Sequence, residues 1–190
     1  MVLSNEHEQV NNAILKVFDA KPTIARYSDN KKESTIDILS CKDRPIKGLV
    51  ACSTIGLFNY NIGYKVHDLD LRIEILGVAN NGVIKNILAS CAFNIINSGY
   101  SCSPDNIFQN VISPFVSNTD MKHVLFVSPF IFNNKIQTLT LKSKMVTWLH
   151  IIPISHNEFL YAEKNGVESL ELLFDQQKID IANLKRKSIL

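Results

Sequence analysis

The stretch from Trp148 to Gln177 constrains the fold more than any other part of the chain. It begins with a short apolar run, Trp148 to Ile152, which is typical of a buried strand. Pro153 has no N–H to donate, so we expect the strand to end there. Ser155 and Glu158 have the spacing of a capping box, in which each side chain binds the backbone N–H of the other residue. These signals predict a buried strand followed directly by a helix.

Two helices are predicted after this cap. The first is expected to end at about Lys164, because Asn165-Gly166 is a helix-stop signal. The second is predicted from Val167 to Gln177. Its apolar residues are expected to be buried: Leu170, Leu173 and Phe174. Nothing in this stretch has the pattern of a catalytic motif.

Two further helices are predicted from the period of the apolar residues. Ser4 can cap a helix that runs from about Asn5 to Phe18. Val83 to Ser98 carries a wide apolar stripe, and Gly99 is expected to end that helix. By contrast, Lys21 to Lys32 is polar and contains turn signals, so it is predicted to be a loop.

The strands are predicted from alternation of apolar and polar residues. Leu71 to Ile75 is one of them, with its aliphatic side chains inward and with Arg72 and Glu74 facing water. The others are a hairpin and a three-stranded meander: Thr35 to Ser40, Lys47 to Thr54, His123 to Ser128, Lys135 to Leu141 and Lys144 to Ile152. Helices and strands together predict an α+β domain.

Composition and charge exclude several classes of protein. The chain is 46% hydrophobic and 20% charged, with a formal net charge of +2, which gives no reason to expect direct binding to nucleic acid. No apolar run approaches the roughly 18 residues of a membrane span, and no apolar core of a signal peptide is visible near the start. The four cysteines are too far apart for a metal knuckle and are expected to be reduced thiols. We therefore expect a cytoplasmic protein with no membrane contact.

The sequence contains no common catalytic motif, and most of the candidate reactive residues are expected to be structural. The common glycine-rich fingerprints for nucleotide phosphates are missing, and no two histidines have zinc-helix spacing. Cys91 lies in the apolar stripe of a helix and is expected to be a small buried hydrophobe. His150 is expected to be a core histidine with its ring nitrogens satisfied. We predict no catalytic residue, no metal and no cofactor, and hence no enzymatic activity.

One charge pattern is more informative. The segment from Ile154 to Ile181 contains six acidic residues and only two lysines, so its local charge is −4. The segment Lys185-Arg186-Lys187 carries +3. Two interpretations stay open. These residues are either solvated helix faces followed by a solubilising tail, or they form a docking face that raises the rate of association with a basic partner. The residues at the centre of that face are Glu163, Glu168, Glu171 and Asp175.

Short segments along nearly the whole chain match, in order, those of a known family. The longer segments are Asp43-Arg44-Pro45, Leu71 to Ile75, Cys91 to Asn97, Met121 to Phe130 and Leu170 to Phe174. Shorter matches lie between and after them: Gly56, Trp148, Pro153-Ile154, Glu158, Tyr161 to Glu163, Gly166 and Arg186 to Ser188. The chain thus resembles the bacterial suppressor-of-fused-like (Sufu-like) proteins, and within them the antitoxin or immunity branch. It departs from the family pattern at Leu57-Phe58 and at Lys185.

The resemblance implies a fold and a function. The fold would be a single Sufu-like domain over residues 1–190, a mixed, largely antiparallel sheet flanked by helices, with residues 178–190 as a polar and basic tail. The function would be to bind and neutralise a cognate secreted polymorphic toxin, of the LXG type with a nuclease domain, by occlusion and without turnover. Two alternatives stay open: a peptide-binding adaptor that uses a strand edge, and a small hydrolase built on Arg72, Glu74 and His150. The oligomeric state is left open.

Overall fold

The computed structural model describes residues 5–133 and 135–190, which form a nine-stranded sheet and four helices. The strands are β1 Thr23–Ser28, β2 Thr35–Lys42, β3 Val50–Ile55, β4 Lys65–Val66, β5 Leu69–Ala79, β6 Ile107–Phe108, β7 Met121–Val127, β8 Leu139–Thr140 and β9 Lys144–Ser155. The helices are α1 Asn5–Phe18, α2 Ile84–Ser98, α3 His156–Asn165 and α4 Val167–Gln177. Among these described residues, no helix is both long and apolar enough to span a bilayer.

The sheet is mixed and largely antiparallel. Its order is β1-β2-β3-β5-β9-β7-β6, with β4 paired to β5 and β8 paired to β9. The central pair, β5 and β9, is parallel, and the other pairs are antiparallel. Between β5 and β9 the chain forms α2, β6, β7 and β8, because parallel neighbours require a long crossover connection. The prediction of a single α+β domain with helices flanking this kind of sheet is confirmed.

The pleat of the strands sends alternate side chains to two opposite faces. Ile73 and Ile75 of β5 face α2 and form one core with it. Leu76 of β5 and Trp148 of β9 face the other way, into a core that includes α1. Ile152 shares the face of Trp148 and packs under α3 and α4. The helices therefore divide unevenly, with α2 on one face and α1, α3 and α4 on the other.

Strand β9 confirms one prediction and corrects another. Trp148 is buried, as expected, and is 1% exposed. Pro153 does not end the strand, because β9 continues to Ser155 and Pro153 pairs with Val124 of β7. The carbonyl of Pro153 accepts a hydrogen bond from Arg186, so this residue turns its polar groups away from β7 and its missing N–H breaks no bond of the ladder.

Three other predictions about local structure need correction. Lys21 to Lys32 is not a loop throughout, because it contains the edge strand β1. The predicted strand from Lys135 to Leu141 reduces to the two residues of β8, and β7 pairs directly with β9. Glu74 does not face water, since its side chain is fully buried. Ser4, the predicted cap of α1, lies outside the described residues, as does Asn134, where the turn between the predicted strands His123 to Ser128 and Lys135 to Leu141 was expected.

The capping box at the start of α3 is confirmed, and it forms part of a larger buried network. Ser155 Oγ accepts from the N–H of Glu158 at 3.0 Å, and the N–H of Ser155 donates to Glu158 Oε2 at 2.8 Å. Arg186 binds both oxygens of the same carboxylate, Nη1 to Oε1 at 2.6 Å and Nη2 to Oε2 at 2.7 Å. The guanidinium also lies over the ring of Phe174 in α4, 5.3 Å from its centroid. Arg186 thus ties the C-terminal segment to α3 through an ion pair and to α4 through a cation–π contact.

The interpretation of the C-terminal residues as a solvated tail, one of the two left open above, does not describe their contacts in the structure. Residues 178–190 lie against the body of the protein, and three of their side chains are buried: Ala182, Leu184 and Arg186. Leu184 belongs to the core that α2 covers, and its carbonyl accepts from the hydroxyl of Thr119 at 2.6 Å. The basic cluster was misinterpreted because the sequence does not show that Arg186 has a buried acidic partner 28 residues earlier.

We expect Trp148→Ala to lower the free energy of unfolding by about 3–5 kcal/mol, because a large buried side chain is replaced by a cavity. Chemical denaturation of parent and variant measures this change. Leu172→Ala is the control, since Leu172 is 58% exposed in α4 and its loss removes little buried surface. Equal midpoints for Trp148→Ala and the parent would contradict the assignment of Trp148 to the core.

We expect Arg186→Met to destabilise the protein by about 3–5 kcal/mol, because it leaves the carboxylate of Glu158 buried without its cation. Lys187→Met is the matched control: the side chain of Lys187 is 90% exposed and its nearest carboxylate oxygen is 3.8 Å away. Denaturation midpoints of the two variants give the comparison. If the two variants had the same denaturation midpoint, the ion pair would contribute no more to stability than a surface contact does.

Candidate functional site

Three of the four predicted docking residues lie on one face of α4. Glu168, Glu171 and Asp175 are spaced by three and four residues, so their side chains point to the same side of the helix. Burial raises the pKa of Glu171, and the nearby charges of Asp105, Asp175 and Glu168 raise it further. These four residues, Asp105, Glu168, Glu171 and Asp175, are called the acidic face below. A positive charge placed against this face would favour the ionised form of Glu171.

The acidic face differs from the predicted one by two residues. Asp105 joins it from the segment before β6, and this could not be predicted from the sequence because Asp105 is far from α4 along the chain. Glu163 lies on α3, is exposed, and is not among the charges that act on Glu171. Leu172, four residues after Glu168 and hence on the same side of α4, is 58% exposed. The face therefore also carries an exposed apolar side chain.

Glu74 is the most unusual carboxylate of the sheet. Its Oε1 accepts from the N–H of Gly56 at 2.8 Å and from the N–H of Phe58 at 3.3 Å, and its Oε2 accepts from the hydroxyl of Thr54. Burial raises its pKa to about 7 in spite of these donors. The side chain closes the turn after β3 by binding its backbone, and it has no exposed surface at which a substrate could meet it.

Arg72 and His150 share a sheet face with Glu74 but do not combine with it into a reactive group. Arg72 Nη2 binds Asp70 Oδ2 at 2.7 Å. His150 is 1% exposed, and neither ring nitrogen has a hydrogen-bond partner among the described residues, which corrects the expectation of a satisfied histidine. Burial lowers its pKa to about 4, so the ring is neutral at pH 7. The hydrolase alternative thus rests on two side chains, Glu74 and His150, that a substrate does not reach.

The cysteines behave as the sequence predicts. All four are buried free thiols, and Cys91 is fully enclosed in the core under α2. Burial raises the pKa of the Cys91 thiol well above its ordinary value, which keeps it protonated and a poor nucleophile.

Two histidines contact each other at the start of α3. His123 Nε2 lies 3.3 Å from His156 Nδ1, and His123 Nδ1 accepts from the N–H of Asn110 at 2.9 Å. Because a neutral imidazole has one donor and one acceptor nitrogen, His123 must carry its proton on Nε2 and donate it to His156. A protonated Nε2 cannot ligate a metal. Across the described residues, no group of three or more potential ligands is close enough to hold a metal ion.

Comparison with known proteins identifies relatives over almost the whole chain. The family model for suppressor of fused protein (SUFU) matches residues 32–187. The immunity protein YqcF of Bacillus subtilis is 41% identical over 191 residues, and the alignment covers 100% of both chains. The resemblance predicted from short segments is therefore confirmed.

Solved structures of the family have the same fold. A suppressor of fused homologue from Neisseria gonorrhoeae matches with a TM-score of 0.73 and 16% identity, over 97% of this chain and 96% of that one. A chain of the Sufu-Fu complex matches with a TM-score of 0.66 and 10% identity, over 95% and 91%. Drosophila Suppressor of Fused matches with a TM-score of 0.64 and 10% identity, over 94% of this chain and 50% of that one. At these identities the likeness shows the fold alone.

The raised pKa of Glu74 predicts a specific dependence of stability on pH. The Glu74 carboxyl holds its proton more tightly in the folded state than in the unfolded one. The protein therefore loses stability as the pH rises from the ordinary pKa of 4.5 to the folded value of about 7, and this stability is not regained at higher pH. Glu74→Gln carries no charge at any of these pH values. The stability of this variant relative to the parent should therefore rise by about 3 kcal/mol between about pH 4 and about pH 8.

Urea denaturation of both proteins across this range provides the measurement. Taking the difference between variant and parent cancels the opposite contribution of His150, whose lowered pKa makes stability fall as the pH drops. A difference that does not change with pH would mean that the N–H donors of Gly56 and Phe58 offset the cost of burying the charge.

Proposed function

The chain belongs to the suppressor of fused protein family, and we propose that it is an immunity protein, which binds a cognate toxin and neutralises it. The observation that carries this proposal is the 41% identity, over the full length of both chains, to a protein named as an immunity protein. The toxin would be a secreted polymorphic protein of the LXG type with a nuclease domain. Inhibition would take place in the cytoplasm, by occlusion and without turnover.

The distribution of polar groups supports occlusion as the mechanism. The carboxylates and imidazole that a hydrolase would need, those of Glu74 and His150, are enclosed in the sheet, and the carboxylate of Glu158 is saturated by Arg186 and backbone N–H groups. The charges that remain available are on the surface. This arrangement supports inhibition by surface contact, in which the protein covers part of the toxin.

The acidic face is the part of that surface that we propose to contact the toxin, together with the exposed Glu163 of α3. A nuclease must attract the negative phosphates of its substrate and therefore presents a basic surface. Glu168, Glu171 and Asp175 would complement that surface and compete with nucleic acid for it. Charge complementarity of this kind acts chiefly on the association rate.

One observation favours a second function, that of a peptide-binding adaptor. Strand β1 is at the end of the sheet, and five of its six residues are exposed. An open strand edge can accept an extended peptide as an additional strand. A likeness to a chain of the Sufu-Fu complex is compatible with this function, although at 10% identity that likeness shows only the fold.

We expect Glu168→Lys to slow association with the cognate toxin domain and to weaken the dependence of that rate on salt, because it reverses one charge of the acidic face. Glu8→Lys is the matched control: both are exposed glutamates in the first turn of a helix, so the two substitutions have the same effect on the helix dipole. Stopped-flow mixing at several salt concentrations measures the rates. The double variant Glu168→Lys/Asp175→Lys should be slower still.

Co-expression with the toxin provides the biological test. Cells that carry the double variant should lose protection, and cells that carry Glu8→Lys should keep it. Equal association rates for Glu168→Lys and Glu8→Lys would place the interface elsewhere. A parent protein that neither binds nor protects against the toxin encoded beside it would reject the immunity function itself.

A further inference from the structure

The tripeptide Asn-Gly-Val occurs twice in the chain, at residues 81–83 and at residues 165–167. An asparagine that precedes a glycine can lose its side-chain amide without an enzyme, when the glycine nitrogen attacks the asparagine Cγ and closes a five-membered ring. Glycine allows this close approach because it has no Cβ. The two copies share the reacting residues and the residue that follows them. A large difference in their reactivity would therefore come from the fold.

The second copy is held in an unreactive arrangement by α3. Asn165 is the last residue of that helix, and the N–H of Gly166 donates to the carbonyl of Ala162 at 2.8 Å. Asn165 Nδ2 donates to the carbonyl of Tyr161 at 3.1 Å, which turns the side-chain amide back along the helix and away from Gly166. Ring closure at Asn165 would have to break both hydrogen bonds.

The first copy lies in the turn before α2, and nothing holds its nitrogen. Asn81 and Gly82 are exposed, and the N–H of Gly82 has no hydrogen-bond partner among the described residues. Asn81 Oδ1 accepts from the N–H of Val83 at 3.0 Å, which folds the asparagine side chain over the backbone of Gly82. The carbonyl carbon is thus presented to the nitrogen that would attack it.

The same hydrogen bond would stabilise the charge that develops during the attack. As the nitrogen of Gly82 approaches Cγ, negative charge accumulates on Asn81 Oδ1, to which the N–H of Val83 is already bound. The ammonium of Lys85 is also near, since a Cβ at position 82 would lie 3.8 Å from its Nζ. By contrast, no group in the described part of the chain donates to Asn165 Oδ1.

We propose that Asn81 is a site of self-catalysed deamidation, from which the fold protects Asn165. A water molecule or hydroxide takes the proton of the Gly82 N–H while the nitrogen bonds to Cγ of Asn81. The bond from Cγ to Nδ2 then breaks, and ammonia leaves. Water opens the resulting ring in one of two ways. Cleavage of the bond between the nitrogen and Cγ gives aspartate, and cleavage of its bond to the main-chain carbonyl carbon gives isoaspartate.

The two products differ in their effect on α2. Aspartate places a negative charge at the N-terminus of the helix, where the helix dipole stabilises it. Isoaspartate inserts a further main-chain atom into a segment that is fixed at both ends. The N–H of Asn80 donates to the carbonyl of Ala182 at 3.2 Å. Ile84 packs so closely on Gly77 that a Cβ there would lie 2.8 Å from Ile84 Cγ1. Isoaspartate at position 81 therefore weakens the packing of α2 on the sheet.

Prolonged incubation of the full-length protein at mildly alkaline pH, followed by peptide mapping with mass spectrometry, tests the proposal. In the folded protein we expect Asn81 to deamidate at least about tenfold faster than Asn165, because the nitrogen of Gly166 must first lose its hydrogen bond. In concentrated urea the two copies should react at similar rates, since the protection is lost with the fold. Equal rates in the folded protein would overturn the proposal.

Two variants separate the roles of the nitrogen and of the hydrogen bond. Gly82→Ala places a methyl group beside the attacking nitrogen and should slow the reaction about tenfold or more. The new Cβ would lie 3.6 Å from Lys85 Cε, an ordinary contact, so this variant should fold. Val83→Pro removes the N–H that binds Asn81 Oδ1, and the φ of Val83, −63°, already suits proline. Its folded rate, divided by its rate in urea, should fall by about tenfold.

The division by the rate in urea removes the intrinsic effect of each substitution, and Asn165 provides an internal control in every sample. A Gly82→Ala variant that reacts as fast as the parent would overturn the assignment of Asn81. An unchanged ratio for Val83→Pro would overturn the self-catalysed part of the proposal.

Urea denaturation of the separated products tests the effect on α2. Asn81→Asp represents the aspartate product and should unfold at or above the midpoint of the parent. The isoaspartate fraction, identified by its methylation with an isoaspartyl methyltransferase, should unfold at a lower urea concentration. An isoaspartate fraction with the midpoint of the parent would contradict the weakened packing of α2. None of these results depends on the immunity function proposed above.

Discussion

The carboxylate of Glu158 is the constraint on which the arrangement of the C-terminal elements depends. A charge with no exposed surface costs several kcal/mol unless donors replace the water it has lost. Here the donors come from three places: the N–H of Ser155 at the end of β9, the guanidinium of Arg186, and the N–H of Ile189. The carboxylate thus holds the end of β9, the start of α3 and the C-terminal segment together, and Arg186 extends these contacts to Phe174 of α4, the helix that carries most of the acidic face.

Glu74 is a second fully buried carboxylate, and different donors replace the water that it has lost. It links β3, the turn after it and β5 through Thr54, Gly56 and Phe58, but no cation binds it. The cost of its burial therefore remains visible as a pKa of about 7, whereas the charge of Glu158 is balanced by Arg186. Both acids are used to hold backbone segments together. This use explains why conspicuous charged residues in the sequence do not assemble into a reactive centre.

Local signals were predictable from the sequence, and partners distant along the chain were not. The capping box needs only the spacing between Ser155 and Glu158, and the acidic stripe of α4 needs only the helical period. Arg186 looked like part of a solvated basic cluster because its acidic partner is 28 residues away. Strand β1 was missed because an exposed edge strand forms by backbone pairing with β2 and carries no alternation of apolar residues.

Under the function proposed above, the range over which the acidic face acts bears on specificity. Charges attract a basic surface from a distance of about a Debye length, and every nuclease offers such a surface because all of them bind phosphates. Attraction of this kind cannot separate one toxin from another. Discrimination requires short-range contacts that leave polar groups unpaired in the wrong complex. The acidic face would therefore set the speed of association, and specificity would depend on contacts that its charges do not make.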